Sequence, residues 1–353
     1  MGLVLTAATT APSFAQDDPC GPIYEKFTTI YRGKTIEEKK SAIATGEEMI
    51  AKCSTVEEYK DPIAFVNKQL PKLKADLEYM LAVQTFEAAA KAPKDADMDA
   101  AFAAGKTLLA RDPELIDVTI AMAILAHDKN IDKYNGEAIN YARQAIQKIE
   151  GGAQPKGWGV WSLNLEKKEG AAASKDNTLS WMNFFIGNIM YSRQNQKKEA
   201  LPYLYKSTQY NVGTKTVPVA YELIGDYYKD EYNRIDDERT KTAEEAKALP
   251  ADDPQKKELV DKVNELLALQ KGYADRMIDA YARAYNNAGN DKAYKDGLYN
   301  TMKVLHNVRF DGKGPALDSY IAEVTKKPMP DPTVAVTPVT DAASTSASTT
   351  PAK

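Results

Sequence analysis

The sequence predicts an all-α protein made of stacked helical hairpins, and three observations carry that expectation. Apolar residues recur with helical periodicity through nearly every segment, and the alternation of β-branched residues that marks strands is absent. Pro and Gly cluster at breaks such as KAPKDAD, RDPE, GGAQPKGWG, GTKTVP, LPADDPQ, NNAGND and FDGKGP, leaving intervals of one- or two-helix length. Glycines also recur inside apolar helices: Gly187 in WMNFFIGNIM and Gly225 in VAYELIGDYY lie 225 − 187 = 38 residues apart. A mid-helix glycine costs about 1 kcal/mol relative to alanine, so its recurrence calls for a compensating contact.

Composition narrows the function classes. The 353 residues are 43% hydrophobic and 27% charged, as in a soluble globular protein. The net charge of −4, from 46 basic and 50 acidic residues, leaves no electrostatic footprint for nucleic acid. No apolar run approaches the roughly 20 residues of a membrane span, so no transmembrane segment is expected.

Residues 1–16 read as the remnant of an export signal. Met1–Ala15 is uncharged and rich in small residues, and Ser13 and Ala15 suit cleavage before Gln16. The basic n-region is missing, so an upstream start is expected. The alternative is an N-terminus without structure. The residues before Cys20, DDP, do not form a lipid-attachment box. Residues 17–95 supply N-terminal hairpins: IYEKFTTIYRG pairs with IEEKKSAIATGEEMIAKC, and further helices follow up to KA, with Pro71 marking a helix start or a kink. Cys20 and Cys53 flank the first pair. In an exported chain they are expected to form a disulfide; in a cytosolic one they would be free thiols.

From residue 96 to 326 a spacing repeats. Ala126, preceded by Met122 and Leu125, is followed 12, 16 and 19 residues on by Ala138, Ala142 and Ala145. Gly187 is followed by Ala200, Leu204 and Ser207 at the same spacings plus one residue, which the SRQNQKK turn absorbs. Gly225 is preceded by Tyr221 and Ile224 and followed by Tyr228. Upstream, Ala101 and Pro113 read as the second helix of an earlier unit. Two segments interrupt the pattern. One is 151–178, carrying Trp158 and Trp161. The other is 231–272, which leads into a long helix from about Gln255 to Asn286 where Leu259, Val263, Leu266, Tyr273, Met277, Ala280 and Ala284 form a seam with Gln270 as its polar exception. The second reads as an elongated, partly projecting hairpin inserted in the array, or as one oversized repeat packed on its neighbours. KAYKDGLYNTMKVLHNVRF and GPALDSYIAEVTKK cap the stack. Residues 327–353, rich in Pro, Thr, Ser and Ala, are expected to be disordered.

This pattern resembles the tetratricopeptide repeats, helix–turn–helix units of about 34 residues with large residues at positions 4, 7, 11 and 24, small ones at 8, 20 and 27, and often proline at 32. The resemblance implies a right-handed solenoid. Its hairpins close at the small residues Ala126, Ala138, Ala145, Gly187, Ala200 and Gly225. On this reading Gly225→Leu overpacks the contact and Gly225→Ala is close to neutral. The family's first helices line a concave groove that binds protein segments. Carried over, the groove comprises His127 and Asn130, then Trp181, Phe184, Asn188 and Tyr191, then Glu222, Asp226 and Lys229. The family's carboxylate clamp is missing, because Ala123, Phe184 and Glu222 stand at position 5. An aromatic shelf beside an acidic one suits a ligand with an apolar anchor and a basic flank, and charge reversal at Glu222 and Asp226 is expected to abolish capture while leaving the melting curve nearly unchanged.

No catalytic constellation is visible. GKT at Gly33–Thr35 and Gly105–Thr107 lacks the earlier glycine and the strand of a phosphate loop. The two histidines, His127 and His306, have no metal-ligand neighbours at helical spacing, so neither a metal nor a cofactor is expected. The leading expectation is an exported (periplasmic or extracellular), non-catalytic scaffold that binds a protein or peptide. Two alternatives stay open: a carbohydrate-binding or enzymatic protein using Trp158 and Trp161, and a structural part of a cell-envelope assembly.

Overall fold

The computed structural model describes residues 18–91, 97–129, 131–153, 170–211 and 213–340. Among them are twelve α-helices and no strand, so the protein is all-α. The chain divides into two compact units, residues 1–89 with 99–111 and residues 90–98 with 112–353. The expected signal remnant lies outside the described residues.

In the first unit α1 (Cys20–Ile30) and α2 (Ile36–Cys53) pair as an antiparallel hairpin. Helix α2 starts on a capping box: the Glu38 amide donates to Thr35 Oγ1 at 3.2 Å, and the Thr35 amide donates to Glu38 Oε2 at 3.0 Å. The core gathers Phe27, Ala42, Met49, Val66, Leu70 and Leu73 around a bond between the sulfurs of Cys20 and Cys53, whose Cα atoms are 5.9 Å apart. Helix α3 (Lys60–Lys91) runs unbroken through Pro71, which therefore does not start a helix. The apolar face of α3 against α2 outweighs the single backbone hydrogen bond that proline removes. Helix α4 (Met98–Arg111) docks on α3 through Arg111, which donates to Asp76 at 2.9 Å and lies over the Tyr79 ring. Residues 99–111 of α4, read from the sequence as part of the repeat array, thus group with the first unit, while 90–98 group with the second.

The second unit contains α5 (Ile116–Lys129), α6 (Asn135–Glu150), α7 (Gly170–Ser192), α8 (Lys197–Thr208), α9 (Pro218–Ala248), α10 (Pro254–Asn287), α11 (Lys292–Phe310) and α12 (Leu317–Lys326). Consecutive helices pair, and a second order of contacts crosses the pairs. Helix α5 touches α7, α7 touches α9, and α9 is bonded to α11. On the other side α6 meets α8, where Lys206 pairs with Glu150 at 2.8 Å. The segment 170–178, expected to be an insert, is the first part of α7; Trp158 and Trp161 lie outside the described residues.

The small residues sit where helices meet. Ala126, Ala138, Ala145 and Ala200 are fully or almost fully buried. A Cβ on Gly187 would lie 2.7 Å from Leu204 Cγ and 3.0 Å from the Leu204 backbone nitrogen, so α7 and α8 approach almost backbone to backbone. Gly225 differs. Its partner lies more than fifty residues downstream, because α9 continues without a break to Ala248. The partner is the Tyr281 ring of α10, which would lie 2.6 Å from an added Cβ. Alanine is therefore not neutral there: the ring is buried, and its hydroxyl is tied to Asp226.

Helices α9 and α10 are both prolonged, and they pair antiparallel along their length, through Gly225 with Tyr281 and Glu238 with Lys262. Gln270 in the seam is buried, accepts from Arg239 Nε at 3.0 Å and donates to Asp236 at 2.9 Å, so its polar groups are satisfied.

The tail also departs from expectation. Residues 327–340 are not disordered but run along α10, antiparallel to it, with a turn at 331–334 closed by the Val334 amide donating to the Asp331 carbonyl. Arg283 donates to the Lys327 carbonyl at 2.7 Å, Tyr205 donates to the Met329 carbonyl at 3.3 Å, and the Val339 amide donates to the Ala268 carbonyl at 2.8 Å. Gly272 makes room for this strand of chain: a Cβ there would meet the Thr337 carbonyl at 2.3 Å. Residues 341–353 lie outside the described residues.

Two measurements check this packing. Gly225→Ala should destabilise by about 1–3 kcal/mol in denaturant melts. Gly297→Ala, in α11 with nothing within 4 Å of the position, should instead stabilise by about 0.5–1 kcal/mol, the helix-propensity difference alone. Replacing Cys20 and Cys53 by serine opens a loop with a sequence separation of 33 and should cost about 3–4 kcal/mol of first-unit stability, read from the denaturation midpoint.

Candidate functional site

The side chains carried over as groove residues form two clusters on the α5–α7–α9–α11 side of the second unit. The first is aromatic. On α7, Trp181 and Phe184 meet edge to face with ring centroids 5.7 Å apart, and Phe185 lies at the same distance from Trp181. His127 of α5 stacks on Phe185 at 4.1 Å and meets Phe184 at 6.1 Å. Phe184 and Phe185 are buried, so Phe184 supports the shelf and does not itself offer a free face. Trp181 and His127 remain half-buried. The shelf is held from behind by Arg193, which donates to the His127 carbonyl at 2.9 Å and to Asn135 Oδ1 at 3.2 Å. Asn130 lies outside the described residues.

The second cluster is acidic and phenolic. Glu222 and Asp226 stand one turn apart on α9, an arrangement that by itself weakens a helix through repulsion. Asp226 Oδ1 accepts from the Tyr281 hydroxyl of α10 at 2.8 Å, and Glu222 Oε2 accepts from the Tyr294 hydroxyl of α11 at 2.6 Å. Among the described residues neither carboxylate has a Lys or Arg within ion-pair distance; the donors that serve them are neutral phenols. Tyr191 of α7 closes the cluster. It is 7% exposed, and its hydroxyl has no hydrogen-bond partner among the described residues. Lys197 lies over its ring at 5.3 Å and pairs with Asp230 at 2.6 Å. Asn188 is half-buried and Lys229 exposed.

Burial pushes the Tyr191, Tyr281 and Tyr294 phenols well above their ordinary value, and the Asp226 charge adds to the effect at all three. Tyr228, deeper between α9 and α10, is pushed up to about 12 by burial. The carboxylates are therefore not free. They hold buried hydroxyls, and reversing their charge would strand Tyr281 and Tyr294 without acceptors.

Sequence reasoning missed Phe185, Tyr281 and Tyr294. Phe185 was legible as an aromatic neighbour of Phe184. Nothing local links Tyr281 or Tyr294 to α9, because they lie 55 and 72 residues from their partners. Among the described residues no group of three His, Cys, Asp or Glu could hold a metal ion. His306 lies apart, stacked among Phe310 and Tyr320, and burial holds it below the ordinary imidazole value. No helix is long and apolar enough to cross a membrane among the described residues. Comparison with protein-family models, curated proteins and solved structures finds no match.

The raised phenols set a pH dependence. A group whose folded pKa exceeds its unfolded value stabilises the fold below the unfolded pKa, near 10 here, and that stability is lost as pH rises toward the folded value. Ultraviolet titration of the phenolates should show a late-ionising class that appears together with the loss of helical circular dichroism above about pH 10. Tyr281→Phe should shrink that class.

Proposed function

We propose that the protein is a non-catalytic interaction scaffold of tetratricopeptide type. In this reading α5 to α12 form a right-handed solenoid whose first helices present a partner-binding groove. The partner is a protein or peptide segment with a basic side chain that enters beside Glu222 and Asp226 and an apolar side chain that packs on Trp181 and His127. The observation that supports it is the pair of half-buried carboxylates served only by tyrosine hydroxyls. Each carboxylate keeps acceptor capacity beyond its single phenol, and an incoming ammonium or guanidinium would supply the missing counter-charge. The bonded Cys20 and Cys53 support an exported location, since disulfides persist in oxidising compartments.

The test is selection from a library of synthetic peptides on the immobilised protein. The expected winners carry Lys or Arg a few residues from an aromatic or aliphatic anchor, and their binding weakens with salt. Glu222→Gln with Asp226→Asn keeps an acceptor for each tyrosine and should cost at least about tenfold in affinity, equivalent to about 1.4 kcal/mol. Equal binding by the double variant, or selection of peptides without a basic residue, would rule the reading out.

A further inference from the structure

The tail of the second unit lies in a groove bounded by α10 and α12, away from the clusters above. Its walls include Gly272, Asp275 and Asp279 of α10 with Tyr320 and Val324 of α12, and Pro328, Pro330, Val336 and Val339 form its cover. Four features of this cover go together. The tail is non-helical and docks as two extended stretches joined by the 331–334 turn: Pro328, Pro330, Pro332 and Pro338 fix their own backbone torsions and disfavour helix for the residues before them. The helix beneath is cut to receive it, since only a glycine at 272 leaves room for the Thr337 carbonyl. The cover is incompletely packed. About 280 Å³ remains open beneath it, Val334 is 57% exposed, and Met329 and Pro332 are its buried apolar side chains.

The fourth feature concerns what departure of the tail would leave behind. Asp279 is held by Arg283 through two bonds of 2.8 and 3.1 Å, and Asp275 is held by Arg309 at 2.9 Å and by Tyr320 at 2.8 Å. These partners are independent of residues 327–340. Arg283 would lose the Lys327 carbonyl and keep Asp279 and the Val324 carbonyl. Arg276, which also lines the groove, has an Nη1 that is buried without a hydrogen-bond partner while the tail is in place, and departure of the tail leaves Asp275 and Asp279 with their partners, so the penalty of stranding a paired charge does not lock the segment in place.

We propose that this groove is a second peptide-binding site, specific for an extended segment with spaced prolines and valines, and that residues 327–340 occupy it as a displaceable internal ligand. The tethered tail holds the site at high effective concentration and excludes weaker competitors. A segment of the same chemistry, from a partner or from the tail of a second copy, gains access when it binds more tightly. Recognition combines main-chain hydrogen bonding, as at Val339 to Ala268, with close approach over Gly272.

The experiment is hydrogen exchange at the Val339 amide in the full chain, with and without an excess of a synthetic peptide covering residues 327–340. Val339 should exchange at least about tenfold more slowly than an unstructured amide, and added peptide should remove that protection while amides in the middle of α9 and α10 keep theirs. Gly272→Ala, which intrudes on the Thr337 carbonyl without breaking the helix, should remove it as well, and a chain ending at Lys326 should bind the labelled peptide. Concentration-dependent dimers of the full chain that dissolve on addition of the peptide would also support the proposal. Protection at Val339 that excess peptide leaves unchanged, or a chain ending at Lys326 that either fails to fold or folds and ignores the peptide, would overturn it.

Discussion

The second unit depends on the approach of α9 to α10 where the Tyr281 ring lies against Gly225. A side chain on α9 at this point would drive the helices apart, and a small residue in place of Tyr281 would leave a void. With glycine opposite tyrosine, the ring fills the space and its hydroxyl reaches Asp226 at 2.8 Å. One contact thus sets the spacing of the longest helix pair, orients an acidic side chain on the neighbouring turn, and fixes the face of α10 on which Gly272 receives the tail. The glycine's intrinsic cost of about 1 kcal/mol is small beside the burial of an aromatic ring.

The same logic of matched partners runs through the buried polar groups. Gln270 lies inside an apolar seam with both ends of its amide engaged, and Asp279 is buried with a two-pronged Arg283 one helical turn away. Burial raises the Asp279 pKa, and the hydrogen bonds and charge of Arg283 oppose that rise. Surface ion pairs such as Lys257 with Asp261 are numerous but exposed, and contribute little to stability. Against this background Glu222 and Asp226 stand out, because their partners carry no compensating charge.

Much of the candidate site was legible as single residues and little of it as contacts. Glu222 and Asp226 could be placed on one face of α9 from helical spacing, and Trp181 and Phe184 on one face of α7. That Phe184 is buried follows from His127 and Phe185 closing over it, which periodicity along one helix does not encode. The tail was misread for a related reason. Its composition reports that it cannot build a core of its own; it says nothing of a helix already shaped to hold it. Prolines that made the segment look unstructured reduce the entropy lost when it docks.

By itself the sequence determined what is local: helices wherever apolar residues recur at helical spacing, their ends at Pro and Gly, the two cysteines flanking one hairpin, and glycines whose cost demanded a close neighbour. The tertiary structure decided what each neighbour is. Gly187 meets the side chain and backbone nitrogen of Leu204 on α8, whereas Gly225 meets a ring on α10. It also decided that two long helices form one pair, that most of α4 belongs with the first unit, and that residues 327–340 run along α10. The reason is that helix formation is governed by residues within a turn or two of one another. Partner identity depends on which surfaces fit across tens of residues of intervening chain, and shape complementarity of that kind exists only once the helices are assembled.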